Sequence, residues 1–149
     1  MATLRQIEDF IAAQPIALAG VSRNPKKFGY VAFKELKEKG LDIIPVNPSA
    51  DEILGTRVYP DINSLPGNTK GIIVMTRKDQ TGEVVKTALA RGIKNIWIQQ
   101  MSETKEAIAD AKDNGANLIS GQCILMYYKP NGFHKFHGAI KKFFGGYPK

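Results

Sequence analysis

The stretch Ile16-Ala17-Leu18-Ala19-Gly20-Val21-Ser22-Arg23-Asn24-Pro25-Lys26-Lys27-Phe28-Gly29 decides the fold. Four apolar residues in a row suit a strand that is covered on both faces. A glycine follows at once, then a short polar and basic loop. Beyond it the spacing predicts a helix over 29–39, where Val31, the pair Ala32/Phe33 and Leu36 make one apolar stripe. Lys34, Glu35, Lys37 and Glu38 lie off that stripe and stay in water. Strand, glycine turn and helix in that order form the opening unit of a parallel α/β sheet.

The unit then repeats. Apolar runs recur at Ile43-Ile44-Pro45-Val46, Ile72-Ile73-Val74-Met75, Ile96-Trp97-Ile98 and Leu118-Ile119, with further helices predicted at 79–91 and 103–114. Three helical runs end in a glycine just ahead of a strand, at Gly40, Gly92 and Gly115. Glycine suits the left-handed position that closes a helix, so each marks a tight turn into the sheet. In front, Thr3-Leu4-Arg5-Gln6 has the form of a capping box, and Leu4, Ile7, Phe10 and Ile11 share one helical face. A leading helix is expected to end before Pro15. Pro45 interrupts its apolar run, so it is expected near that strand's C-terminal end or at a break in the ladder. Residues 47–70 read as loop, with at most a short strand around Arg57-Val58-Tyr59. The expected fold is a Rossmann-like α/β three-layer sandwich with a mainly parallel sheet. It is one domain over 1–149, with a leading helix in 1–15 and a C-terminal extension over 124–149.

Composition narrows the function classes. A chain of 149 residues suits one domain, and domains of this size bury about 70% of their unfolded surface. No apolar run approaches the ~20 residues that cross a bilayer. The first residues lack the layout of a signal peptide, and the single Cys123 cannot form an internal disulfide. A cytoplasmic protein is expected. Lys and Arg number 21 against 14 Asp and Glu, a net charge of +7, which suits an anionic partner.

In open parallel sheets ligands bind beyond the C-terminal strand ends, where the winding reverses. The loop from Gly20 to Gly29 lies there. A helix N-terminus offers free N–H groups and a positive dipole end, so this is an anion site. Ser22 adds a hydroxyl, and Arg23, Lys26 and Lys27 add charge. The dinucleotide fingerprint G-x-G-x-x-G is absent: Ser22 and Pro25 stand where its later glycines belong. An NAD site also wants an acid after the second strand, where this chain has Val46-Asn47-Pro48. Basic residues without that acid suit a cofactor with an extra ribose phosphate, as NADP and coenzyme A both have. The Walker pattern is absent too.

The string Gly20-Val21-Ser22-Arg23-Asn24-Pro25 with Gly29-Tyr30, then Ile44-Pro45-Val46-Asn47-Pro48, Ile53-Leu54-Gly55 and Ile96-Trp97-Ile98-Gln99, is similar to the CoA-binding domain family. That family resembles the N-terminal domain of the succinyl-CoA synthetase α-subunit. The likeness runs from about Ile16 to Cys123. It implies a Rossmann-like fold that binds coenzyme A or acyl-CoA. The first loop (Gly20, Val21, Ser22, Arg23, Lys27, Phe28 and Gly29) would hold phosphate, and Asn47-Pro48 would lie near the adenosine. Met75, Thr76 and Arg77 would face the pantetheine or pyrophosphate, with Gln99 closing the tryptophan motif. Family members often have a glycine after that strand, where this chain has Gln99-Gln100-Met101.

No set of nucleophile, base and orienting group is found, so a non-catalytic sensor, carrier or regulator is expected. An NADP-dependent oxidoreductase and an RNA- or membrane-associated protein are the alternatives. Cys123, beside Ile124 and Leu125, reads as a buried small hydrophobe and Trp97 as core. His134 and His137 have helical spacing but no carboxylate or thiol close in sequence, so no metal is expected. After Lys129-Pro130-Asn131-Gly132, residues Phe133, Phe136, Ile140, Phe143 and Phe144 recur at helical spacing with Lys135, Lys141 and Lys142 between them. Such a face packs on the domain or on a partner subunit, so no nucleic acid or membrane partner is expected and a homodimer stays open.

Overall fold

The computed structural model describes residues 2–128. The predicted C-terminal stripe from Phe133 to Phe144, and His134 and His137, lie outside them. The leading helix is α1, Leu4–Ala12. Its start is fixed as the sequence implies: Thr3 Oγ1 accepts from the Gln6 amide at 3.1 Å, and Gln6 Oε1 accepts from the Thr3 amide at 2.7 Å.

Five parallel strands follow: β1 (Ile16–Ala19), β2 (Ile43–Val46), β5 (Gly71–Val74), β6 (Asn95–Gln99) and β7 (Asn117–Gln122). They lie in the order β2-β1-β5-β6-β7. Helix α2 (Phe28–Glu38) connects β1 to β2, α3 (Lys78–Ala90) connects β5 to β6, and α4 (Lys105–Asp113) connects β6 to β7. All are βαβ crossovers of a Rossmann-like α/β domain. The chain leaves β1 toward one edge and β5 toward the other, so the winding reverses between these two neighbours.

Alternate side chains of each strand enter opposite layers. Ile16, Leu18, Ile73, Trp97 and Ile119 pack with Phe10 of α1, Phe33 and Leu36 of α2, and Ile124 and Leu125. Ala17, Ala19, Ile72, Val74, Ile96, Ile98 and Leu118 pack with Val85 and Ala88 of α3 and Ala107 and Ala111 of α4. Two dry layers on one sheet explain why the strands read as unbroken apolar runs and not as alternations.

The three closing glycines do the same thing three times. After α2, Gly40 N–H bonds Lys37 O and Leu41 N–H bonds Leu36 O; Gly92 with Ile93, and Gly115 with Ala116, repeat both bonds. These are Schellman closures, with each glycine at positive φ. Pro45 sits in β2, an edge strand, one residue before its end. Its carbonyl accepts from Tyr59 N–H on the side away from β1, so the missing amide hydrogen costs the β1 ladder nothing.

One expectation needs correction. The loop-rich stretch holds a hairpin, not a lone strand around Arg57–Tyr59. Glu52–Ile53 (β3) pairs antiparallel with Thr56–Arg57 (β4), and Tyr59 separately bridges Val46. Its two-residue turn, Leu54-Gly55, has positive φ at both positions. That is the geometry of a primed hairpin turn, reached here with a leucine where Asn or Asp is usual.

Trp97 anchors the far side of the sheet. It is fully buried, edge-on to Phe10 at 5.4 Å between ring centroids, and donates Nε1–H to Gln122 O at 3.0 Å. Trp97→Ala would open a cavity and remove the indole donor from Gln122 O, which keeps its bond from Gln100 N–H. It should lower unfolding stability by about 3–5 kcal/mol in urea titration.

Candidate functional site

The loop after β1 is held by its own polar groups. Ser22 Oγ accepts from Asn24 N–H, Asn24 Oδ1 accepts from Lys26 N–H (both 3.0 Å), and Lys27 N–H bonds Asn24 O. These turns engage both carbonyl oxygens of Asn24 and leave Arg23, Lys26 and Lys27 exposed. Two glycines bring the loop tight against α2. A Cβ on Gly29 would collide with Gly20 O, and one on Gly20, at φ 101°, would collide with Met75 O. The end of β1 is therefore clamped between the first turn of α2 and the end of β5.

Helix starts differ in how they are closed. Thr3 caps α1, and Thr104 Oγ1 caps α4 by accepting from Ala107 N–H at 3.1 Å. Helix α3 starts from Arg77 without a side-chain cap, but Asp79 stands in its first turn. Among the described α-helices, α2 alone has neither a side-chain cap bond nor an acid in its first turn or a capping box. Its N-cap is Lys27, a cation at the positive end of the helix dipole. Among the described residues the amides of Ser22, Phe28 and Gly29 have no backbone or side-chain acceptor.

Two hollows meet at this place. A cleft of about 490 Å³ lies over the β1–β5 junction, and a second, of about 480 Å³, lies beside it over β1 and β2. Both fall in the size range of small-molecule sites. The larger is lined by Gly20 and Val21 from the β1 loop, Pro48 after β2, Thr76 after β5, and by Asp61 and Glu83 among others. The smaller is lined by Ser22, Arg23, Asn24, Asn47, Pro48 and Ser49. Pro48 lines both.

Of the residues singled out from the sequence, Gly20, Val21, Ser22, Arg23, Asn47, Pro48 and Thr76 thus come together. Lys27, Phe28 and Gly29 lie at the start of α2, outside the two linings. Asn47 works as a staple: Nδ2–H donates to Val21 O at 2.7 Å, and Oδ1 accepts from Ser49 N–H at 2.7 Å. Thr76 Oγ1 is 2.8 Å from Thr81 Oγ1. Arg77 is exposed and paired with Asp79 at 2.9 Å. Met75 packs against the core on the α2 side. Gln99 is buried, its Oε1 accepting from Ile124 N–H at 3.1 Å, and it lines neither hollow. Cys123 is half-buried, packed against the same core.

Sequence reasoning missed one wall. Asp61, Ile62 and Asn63 come from a one-turn 3-10 segment, Ile62–Ser64, and Gln80, Glu83, Val84 and Thr87 come from α3. Asp61 Oδ1 caps the short turn through Ser64 N–H at 2.8 Å. Arg91 fastens this wall by donating to Ile62 O at 2.6 Å and Leu65 O at 3.2 Å. The spacing 80, 83/84, 87 is one helical stripe, and Asp61-x-x-Ser64 is a capping pattern; these were the available signals. Charge across the site is divided: Arg23, Lys26 and Lys27 on the loop, and Asp61 and Glu83 on the far wall, where Asp79 is already paired with Arg77.

Farther out, Lys86 and Glu106 pair at 2.8 Å across α3 and α4. The hydrogen bond, and then the opposite charge, hold the Glu106 carboxyl below and the Lys86 ammonium above their usual ranges. Both groups are therefore charged at neutral pH, outside the larger cleft. Among the described residues no group of three or more His, Cys, Asp or Glu could hold a metal ion, and no helix is long and apolar enough to cross a membrane.

A model of the CoA binding domain family matches residues 14–129. The chain belongs to this family. A Bacillus subtilis protein, YneT, is 30% identical over 109 residues, which make up 73% of this chain and 81% of that one. The α subunit of ADP-forming acetate–CoA ligase II from Pyrococcus furiosus is 28% identical over 129 residues, covering 79% of this chain and 28% of the subunit. A solved hypothetical protein from Pyrococcus horikoshii superposes with a TM-score of 0.75 at 29% identity, over 81% of this chain and 86% of that one. This CoA-binding domain thus spans little more than a quarter of the ligase subunit it matches.

The clamp at Gly29 gives a direct test. Gly29→Ala forces a methyl onto Gly20 O, and overpacking of this kind costs about 1–3 kcal/mol. The variant should melt several degrees lower by circular dichroism, with its far-ultraviolet spectrum at low temperature unchanged.

Proposed function

We propose that this chain binds coenzyme A or an acyl-CoA without catalysing a reaction, as a cytoplasmic sensor, carrier or regulator. The observation that carries the reading is the start of α2: an uncapped helix N-terminus, without an acid of its own, that begins at Lys27 beside Arg23 and Lys26. Left empty, that arrangement is unfavourable, because cations sit at a positive dipole end. A bound phosphate turns each unfavourable term into a favourable one. Membership of the CoA-binding domain family supports the choice of ligand.

The divided charge supports an orientation. The phosphates belong on the loop side, with Arg23 in the smaller hollow for the 3′-phosphate. Uncharged parts of the ligand belong in the larger cleft, because Asp61 and Glu83 repel anions, while Asp79 is paired with Arg77. Val21, Val46, Ile62 and Val84 give that cleft an apolar lining. The same acids do not stand in for the ribose-binding carboxylate of NAD sites, which follows the second strand; there Asn47 is committed to Val21 O. Support for a non-catalytic role is that, among the described residues, the titratable groups lining the larger cleft are carboxylates at its exposed rim.

Calorimetry should find coenzyme A bound at least tenfold more tightly than NAD, a difference of about 1.4 kcal/mol. Equal or better binding of NAD overturns the reading. The phosphate assignment has its own test, since dephospho-CoA lacks only the 3′-phosphate. A charge-assisted contact of about 1.5–3 kcal/mol means that Arg23→Ala or Lys27→Ala should weaken coenzyme A about ten- to hundredfold. The residue that holds the 3′-phosphate should leave dephospho-CoA nearly unaffected, and added salt should narrow the gap. Parent-like binding of both ligands by both variants would place the phosphate elsewhere.

A further inference from the structure

The outward face of α2 carries apolar surface that the described residues leave uncovered. Phe28 is 47% exposed and Val31 43%, one helical turn apart. The other exposed large apolar residues among those described are Leu54 and Met101, and neither lies on α2. A shallow hollow of about 330 Å³ continues this face toward the end of the helix, lined by Val31, Lys34, Glu35, Glu38 and Lys39.

The described chain ends beside this helix. Ile124–Met126 forms a single 3-10 turn that packs on α2, and the Tyr128 hydroxyl donates to Lys39 O, the C-cap carbonyl, at 3.4 Å. The next 21 residues therefore leave from a point within one tyrosine length of the last turn of α2. Their sequence offers a matching surface. Phe133, Phe136, Ile140, Phe143 and Phe144 fall on one face of a helix, the intervening lysines fall elsewhere, and there is no acid from 129 to 149. Residues 133–144 as a helix would be about 18 Å long, against about 16 Å for α2.

We propose that residues 133–144 dock as an amphipathic helix on the Phe28–Val31 face of α2 in the same molecule. Lys129-Pro130-Asn131-Gly132 reads as a turn, which reverses the chain beside Lys39. The docked segment then runs antiparallel to α2, starting near Glu38 and finishing near Phe28. Phe136 faces the hollow beside Lys34 and Glu35, Ile140 faces Val31, and Phe143 or Phe144 reaches Phe28. A second copy of the chain or an anionic membrane are the competing occupants of the aromatic stripe.

The test uses the full-length chain with Cys123→Ser as background. Val31→Cys with Ile140→Cys should form a disulfide within one chain under mild oxidation, read by mass and non-reducing electrophoresis. Val31→Cys with Phe133→Cys should not, because Phe133 lies at the other end of the pairing. Amide exchange over residues 28–35 should speed up at least severalfold in Phe136→Asp/Phe143→Asp, without a change at Trp97. A crosslink between chains instead of within one, with a dimer in light scattering, assigns the stripe to a second copy and overturns the proposal. So does unchanged exchange in the aspartate variant, whether or not the parent binds anionic vesicles.

Discussion

Gly29 has no side chain, and the carbonyl oxygen of Gly20 occupies the space beside it where one would be. Everything else at the site depends on that approach. Because β1 ends against the first turn of α2, the loop between them cannot relax away, and the start of α2 stays pointed at the place where the sheet reverses. Gly20 is held in turn by Met75 O at the end of β5, so the clamp spans both strands of the junction. The dinucleotide fingerprint reaches similar contacts with three closely spaced glycines. Here two glycines nine positions apart serve, and the intervening loop is free to carry Arg23, Lys26 and Lys27.

The loop also shows how unfavourable electrostatics is tolerated locally. A cation at a helix N-terminus costs a few tenths of a kcal/mol up to about 1 kcal/mol. Three close together, unpaired among the described residues, repel one another as well. The cost is offset elsewhere, by two full core layers and by polar staples near the junction. Asn47 ties the end of β2 to Val21, and Arg91 ties the short turn after Asp61 to α3. Lining residues share in this work: Asn47 lines the smaller hollow, and Asp61 lines the larger cleft while capping the short turn.

Most of the fold was legible because its signals are local. The capping box at Thr3, the glycines at 40, 92 and 115, and the apolar runs each act within a few residues, and each appears where the sequence puts it. Edge position explains why Pro45 is harmless. The hairpin at Glu52–Arg57 was hidden because its turn uses Leu54 at positive φ, which a leucine rarely adopts. The site was legible only on its loop side, where chemistry and chain order coincide. Asp61 and Glu83 belong to segments far apart in sequence that the α3 packing brings together, and no local pattern joins them. Asn47 and Gln99 show how polar groups at strand ends divide between fold and site: Asn47 lines the smaller hollow, and Gln99 lines neither. Both are polar residues at strand ends, where ligands bind, but Val21 O and Ile124 N–H claim their side chains first.

Pro48 is the place where the two hollows become one site. It lines both, at the end of the edge strand, and its rigid ring separates the basic side from the larger apolar cleft. A ligand short enough to fill a single hollow would meet either cations without apolar cover or apolar surface rimmed by carboxylates. A ligand that crosses Pro48 can place anionic groups on one side and neutral groups on the other, and so gain from both. The geometry therefore favours long, asymmetrically charged molecules over compact anions, which could use only the loop. Coenzyme A has that asymmetry, with its phosphates gathered toward one end and a long uncharged arm at the other. The acids of the far wall do not have to touch such a ligand to matter. In the proposed binding mode, Asp61 and Glu83 would make the reversed orientation repulsive.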